Sequence, residues 1–220
     1  MSPSASASPV ATAKLTGAAA TALVARALAN TKAAVSVRVE GKGVGTGSGS
    51  QSVTFDLTLV KNTGCEGTIA LSKVQTFQLV EVGGYVWMKP STAYYASLHL
   101  TKAAAALIAD KYIKVKSGDK QIGSLAQICT FSGLFSAMPV PTGSSFTASP
   151  ASYSGQPVYD ITQSGKPGYA YVTNTSAPLL LKLVDPKKSG GAITFTDYGS
   201  TTAITPPTPA ESIDGSALGI

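Results

Sequence analysis

The sequence predicts an α+β fold in which helices gather on one side of a single antiparallel β-sheet. Three observations support this class. Apolar and polar residues alternate along residues 51–60, which is typical of a half-buried antiparallel strand. Gly83 and Gly84 separate two apolar runs and supply the positive backbone dihedrals of a two-residue hairpin turn. From residue 157 to 196, short β-branched and aromatic runs alternate with turn residues, as in successive antiparallel strands.

The elements can be placed in order along the chain. Residues 1–13 form a Ser/Ala/Pro tract with little large apolar surface, so we expect a disordered tether. Helices are predicted at 16–29 with Asn30 as the stop, at 101–109, and at 124–138 with a break at Gly133. The glycine-rich residues 41–50 are expected to form a mobile hairpin loop. Strands are predicted at 35–40, 51–60, 67–71, 77–82, 85–88, 112–116, 158–162, 168–173, 179–184 and 192–196.

A single domain accounts for most of the chain. Its 220 residues could form one large domain or two small ones, but no shift in composition marks a boundary. We therefore predict a tether at 1–13, one domain at 14–214 and a flexible tail at 215–220. We expect the protein to be a monomer.

The charge pattern argues against nucleic-acid binding. The formal net charge is +6, but the lysines are scattered and only Arg26 and Arg38 carry guanidinium groups. Tracking of phosphates needs clustered cations. Lys114 and Lys116 alternate with apolar residues, so we expect them on the solvent-facing side of a strand. Mild attraction to an anionic membrane surface is compatible with this pattern.

Cys65 and Cys129 are the only cysteines. They lack the spacing of a metal site, and a single histidine cannot complete a zinc tetrahedron with them. In an exported protein we predict one disulfide between them, which would stabilise the fold by about 4 kcal/mol; the alternative is two buried free thiols. Export is expected because Met1 directly precedes the tether, as though a signal had been removed. The alternative is a cytoplasmic protein with a disordered start.

The sequence offers no support for catalysis. The glycine-rich residues 41–50 are followed by a strand and miss the last glycine of a phosphate-binding loop. Residues 117–120 match S-x-x-K by letter, but they follow a strand instead of beginning a helix. His99 is the only imidazole, and the carboxylates are dispersed without metal or glycosidase spacing. We therefore predict no enzyme activity, no metal and no cofactor.

An ordered set of motifs resembles one family. The motifs are GCEGTI at 64–69, VEVGGYVWMKP at 80–90, a helix before KYIKV, Cys129 in a later helix, and then PVYDI, YAYVT, SAPLLLKL, ITFTDYG and ITPPTPAESID. Over residues 14–214 the chain resembles the actinobacterial envelope lipoproteins of the LppX/LprAFG group, which have the LolA-like lipid-carrier fold. The resemblance implies a strongly curved antiparallel sheet, or half-open barrel, with helices on its concave face.

The same resemblance implies a hydrophobic cavity for acyl chains of a lipid or an acylated partner. Short side chains at 103–106 could leave such a cavity between helix and sheet, although alanines also permit close packing without a void. Family members are held at the outer face of the membrane through a lipidated cysteine. This sequence lacks that cysteine, so an anchor is an expectation about the N-terminus.

These considerations predict an exported lipoprotein domain that binds lipid acyl chains and acts as a carrier or chaperone in the cell envelope. The protein would be membrane-anchored or secreted. The alternative is an envelope interaction or sensor module with the same fold and a filled core. The candidate cavity residues are Phe55, Leu57, Leu79, Trp87, Leu107, Phe135, Leu180 and Phe195.

Overall fold

The computed structural model describes residues 12–44, 52–97, 106–119, 128–136, 145–185, 191–200 and 203–218. These residues form an α+β fold, as predicted from the sequence. They fall into two compact units. The first unit contains the described residues of Met1–Ala33 and Val140–Thr194, and the second contains those of Ala34–Pro139 and Phe195–Ile220.

Thirteen strands and three α-helices have defined bounds among the described residues. The first part of the chain contains β1 (Leu15–Thr16), α1 (Gly17–Ala33), β2 (Ser36–Val44), β3 (Ser52–Val60), β4 (Gly64–Ala70), β5 (Thr76–Val82), β6 (Tyr85–Pro90), α2 (Thr92–Ser97) and β7 (Tyr112–Lys116). The second part contains α3 (Phe131–Ser136), β8 (Phe146–Tyr153), β9 (Gln156–Gln163), β10 (Tyr169–Thr173), β11 (Leu180–Asp185), β12 (Gly191–Thr196) and β13 (Ser212–Asp214). Short 3₁₀ helices lie at Pro209–Glu211 and Gly215–Leu218.

In the first unit, one helix packs on an antiparallel meander. The strand order is β1-β8-β9-β10-β11-β12, and each neighbouring pair is antiparallel. Helix α1 packs against β8 and β11. The helix also forms two hydrogen bonds to the chain around the start of β11: the Asn30 amide donates to the carbonyl of Pro178, and Thr31 Oγ1 accepts from the backbone N–H of Leu180, both at 3.0 Å. These bonds hold the end of the helix on the sheet.

In the second unit, seven strands follow the order β2-β3-β4-β5-β6-β7-β13. The pairs from β2 to β7 are antiparallel, whereas β13 joins β7 in parallel. The predicted glycine hairpin is present between β5 and β6, because Gly83 and Gly84 have φ values of 60° and 79°. The predicted bounds of β7 coincide with those observed, and Lys114 and Lys116 alternate there with buried apolar residues.

Three strands were missed by the sequence prediction, which had ten. The largest is β8, whose run FTASPASY has little bulk and contains Pro150. Strand β1 pairs with β8 only at Ala148 and Thr147, whereas Pro150 is paired with Tyr159 of β9. Pro150 therefore lies beyond the residues that pair with β1. Its missing N–H does not remove any hydrogen bond between β8 and β1.

Several predicted boundaries were wrong. Helix α1 does not stop at Asn30 but continues to Ala33. The predicted loop at 41–50 starts too early, because β2 extends through Val44 and pairs with β3 along its whole length. Gly133 does not break α3. It lies in the first turn of that helix, where its N–H donates to Thr130 Oγ1 at 2.9 Å and is thereby capped.

Other predictions fall partly outside the described residues. Residues 106–108 are helical, but the rest of the predicted helix up to residue 105 lies outside the description, as does His99. Most of the tether and residues 124–127, 137 and 138 of the third predicted helix also lie outside it. At the end of the tether, the carbonyl of Ala13 accepts a hydrogen bond from Tyr159 Oη at 3.4 Å. The predicted tail begins with the 3₁₀ turn that starts at Gly215.

Candidate functional site

The second unit presents a continuous apolar side of its sheet. Directly paired residues of antiparallel strands project to the same side, so the strand register defines two faces between β2 and β7. On one of them, which we call the apolar face, twelve side chains are each at most 8% exposed. They are Val37, Val39, Phe55, Leu57, Leu59, Cys65, Ile69, Phe77, Leu79, Val86, Ile113 and Val115.

The position of Gly67, in the middle of the apolar face, carries no side chain, and we call this position the gap. One cross-strand row runs from Val39 through Leu57, Gly67 and Leu79 to Met88 and Ile113. Gly67 has no side chain, so Leu57 and Leu79 flank a position that is one side chain wide. A larger residue cannot stand there, because a Cβ on Gly67 would lie 2.0 Å from the carbonyl oxygen of Asp56. The backbone therefore keeps this position free of a side chain.

Two short helices are connected to the apolar face. The ring of Tyr94 in α2 packs edge-on against Phe77, with ring centroids 5.2 Å apart. Cys65 forms a disulfide with Cys129, two residues before α3, which confirms the predicted pairing. Helix α3 contributes Phe135, whose ring stacks on Phe195 at 6.0 Å. These contacts connect α2 and the residues before α3 to the apolar face, and α3 to Phe195.

Three of the predicted cavity residues are brought together. Phe55, Leu57 and Leu79 all lie on the apolar face and are 8%, 1% and 1% exposed. Phe135 and Phe195 form a second group, which is the stacked pair in the same unit. The arrangement of these five follows from strand alternation and from the disulfide.

The other three predicted residues belong to neither of these groups. Trp87 pairs with Val80 on the opposite side of the sheet, where both belong to a small buried cluster with Ile204. Leu180 is in the first unit and is 2% exposed. Leu107 is 71% exposed, whereas the neighbouring Ile108 is buried. Trp87 was grouped with the others because β5 and β6 are apolar on both sides, so the sequence pattern did not indicate which way it points.

The opposite side, which we call the polar face, carries a groove of about 400 Å³. Arg38 donates to both carboxylate oxygens of Asp56 at 2.9 and 2.8 Å, and its guanidinium also lies 2.5 Å from Glu40. Hydrogen bonds from Arg38 lower the pKa of Asp56, although burial acts in the opposite direction. The groove is lined by Arg38, Asp56, Thr58, Glu66, Gly67, Thr68, Gln78, Leu79, Val80 and Tyr112. Its lining is mainly polar and contains a compensated ion pair, so it does not fit an acyl chain.

One acidic residue was overlooked by the sequence prediction. Glu81 pairs with Cys65 and Val86 and therefore projects from the apolar face. Its Oε2 and the nearby Ser117 Oγ are shielded from solvent and have no hydrogen-bond partner among the described residues. Burial raises the pKa of Glu81. The period-two alternation of Phe77, Leu79 and Glu81 would have shown this orientation.

The described residues contain no group of three or more His, Cys, Asp and Glu side chains placed to hold a metal ion. Within the same part of the chain, no helix is long and apolar enough to span a membrane. The candidate site is the apolar face, together with the polar pair of Glu81 and Ser117.

Comparison with known proteins gives a likeness of fold. LprF from Mycobacterium bovis superposes with a TM-score of 0.57 at 14% sequence identity, covering 86% of this chain and 96% of LprF. The Mycobacterium tuberculosis lipoprotein LppX superposes with a TM-score of 0.52 at 15% identity, covering 85% of this chain and 98% of LppX. No protein-family model matches the sequence, and no curated protein matches it at a significant level.

The likeness confirms the fold prediction. The chain has the fold of the LppX/LprAFG-type lipoproteins, which here is an α+β fold with antiparallel strand pairs in both units and one parallel pair, β13 with β7. At this level of identity the comparison concerns the fold, and the site must be argued from the residues of this chain.

Proposed function

We propose that the protein binds lipid acyl chains against the apolar face and serves as a lipid carrier or chaperone of the cell envelope. The fold shared with LprF and the lipoprotein LppX carries this proposal. We further propose that it works as a monomer outside the cytoplasm, either secreted or held at the outer face of the membrane. The disulfide between Cys65 and Cys129 supports an oxidising compartment.

The chemistry of the apolar face supports an acyl ligand. An acyl chain has no directional contacts to make, so its affinity comes from apolar area removed from water, at about 25 cal/mol per Å². Leu57 and Leu79 on either side of Gly67 present apolar side chains without a polar atom. We place the ligand along this row, with Phe55 beside it and with Phe135 and Phe195 of the same unit as further candidates; Leu180 of the first unit stays a separate candidate. Trp87 is left out because it lies on the polar face, and Leu107 because it is exposed.

Substitution of Leu57 by Trp tests the proposed position. The larger ring would occupy the space beside Gly67, and we expect lipid retained by the purified protein to fall about tenfold. Thr58→Trp is the matched control, because the next residue of the same strand projects to the polar face. Its lipid content should equal that of the native protein. Lipid is measured by mass spectrometry after organic extraction, and thermal unfolding by circular dichroism shows that both variants are folded.

Equal lipid retention in the Leu57→Trp and Thr58→Trp variants would show that acyl chains do not bind along this row.

A specific observation favours the second candidate function, an interaction or sensor module with a filled core. All twelve side chains of the apolar face are nearly covered in the structure. If the native protein takes up no lipid from any mixture offered, that second function replaces the first.

A further inference from the structure

Glu81 interrupts a row that is otherwise apolar. The row crosses six strands from Val37 through Leu59 and Cys65 to Glu81, and then through Val86 to Val115. Apart from Glu81, every member of this row is at most 7% exposed. A carboxyl group thus stands in a line of five apolar side chains, one row from the gap at Gly67. Its position distinguishes it from Asp56 and Glu66, which project from the polar face.

The polar atoms at this point lack partners. Ser117 directly follows β7, and its backbone N–H donates to the carbonyl of Gly84 at 3.0 Å, which holds it beside the β5–β6 hairpin. Neither Glu81 Oε2 nor Ser117 Oγ has a hydrogen-bond partner among the described residues, although both atoms are shielded from solvent. A shielded polar atom without a partner destabilises a folded protein, and such atoms are usually satisfied. A ligand that supplied the missing hydrogen bonds would remove this penalty.

The two atoms together specify the chemistry of such a ligand. The free carboxyl oxygen of Glu81 requires a donor, whereas the Ser117 hydroxyl can donate and therefore also accommodates an acceptor. A hydroxyl group does both at once. An ammonium group can only donate, and a phosphate at neutral pH mainly accepts, so each satisfies one side of the pair.

We propose that Glu81 and Ser117 bind a free hydroxyl of the lipid, and that the protein selects neutral hydroxylated lipids over lipids whose head group is a phosphate. This inference rests on the proposed function and adds the polar end of the ligand to its apolar end. The acyl chain extends along the row of Leu57 and Leu79, and the hydroxyl lies at the adjacent row. Glu81 acts as a specificity-determining residue and not as a catalyst.

A competition between two lipids with identical chains tests the inference. Delipidated full-length protein is incubated with an equimolar mixture of dioleoylglycerol and dioleoyl phosphatidic acid, which carry a hydroxyl and a phosphate at the same position. Bound lipid is quantified by mass spectrometry after the protein is repurified. We expect the ratio of bound diacylglycerol to phosphatidic acid to fall about tenfold in Glu81→Gln, because the amide can donate to phosphate. Ser117→Ala should lower diacylglycerol binding in the same assay.

Glu66→Gln is the matched control. This variant replaces a carboxylate by an amide on the neighbouring strand β4, but Glu66 lines the groove on the polar face. The lipid ratio of Glu66→Gln should therefore equal that of the native protein. An unchanged ratio in both Glu81→Gln and Ser117→Ala would overturn the inference while leaving acyl binding intact. A native protein that binds the two lipids without preference would overturn it as well. Failure to bind either lipid would instead contradict the proposed function, and the inference would fall with it.

Discussion

The double variant Cys65→Ala/Cys129→Ala is expected to lose about 4 kcal/mol of unfolding free energy relative to the native protein. The disulfide joins residues 64 positions apart, so its removal restores a large conformational freedom to the unfolded chain. Cys65 is also fully buried on the apolar face, where its replacement leaves unfilled space. The loss corresponds to a decrease in Tm of about 8–16 °C for a chain of this size.

Urea unfolding under oxidising conditions measures this loss, provided that the slope with denaturant is compared as well. The native protein treated with reductant is the matched control, because it lacks the same covalent link without a change in side-chain volume. It should lose a similar amount. A difference below about 1 kcal/mol in both samples would mean that the link contributes little to the fold.

Gly67→Ala is expected to lower the unfolding free energy by about 3 kcal/mol. Gly67 has φ of 149°, a conformation that L side chains rarely adopt, and an added Cβ would lie 2.0 Å from the Asp56 carbonyl oxygen. The obstructing atom belongs to the backbone of β3, so no side-chain rotation can relieve the clash. The strand pairing between β3 and β4 would have to open locally.

Gly84→Ala separates the effect of the clash from that of the backbone dihedral. Gly84 also has a positive φ, 79°, but an added Cβ there meets nothing within 4 Å. We expect this variant to lose only about 1 kcal/mol, which is the usual penalty of a left-handed conformation. Equal losses at Gly67 and Gly84, measured by urea unfolding, would contradict the predicted clash between strands.

The parts of the fold that the sequence predicted are those whose patterns are local. Residues 52–59 alternate strictly between polar and apolar, and β3 begins within one residue of the predicted start. Gly83 and Gly84 indicated the hairpin because few other residues adopt the dihedrals that such a turn needs. By contrast, β8 has small residues and a proline, so its own pattern is weak, and its strand character follows from the hairpin that it forms with β9 through Ser154 and Gly155.

The candidate site was predicted only in part, for a related reason. Phe55, Leu57 and Leu79 share the apolar face, as the alternation along β3 and the register of the hairpin indicate, and their role in a cavity stays a prediction. Trp87 was not, since both sides of β6 carry apolar groups and only the pairing with Val80 reveals its orientation. Glu81 was missed although its alternation with Phe77 and Leu79 along β5 indicates the apolar face. When a strand is apolar on both sides, only its pairing in the sheet shows which side chains project to which face.

The most direct test of lipid binding is the native mass spectrum of the protein purified from its own host. The account predicts a species heavier than the polypeptide by the mass of a lipid with long acyl chains and at least one free hydroxyl, released by organic solvent. Detection of the bare polypeptide alone, together with no uptake when delipidated protein is offered dioleoylglycerol, would contradict it.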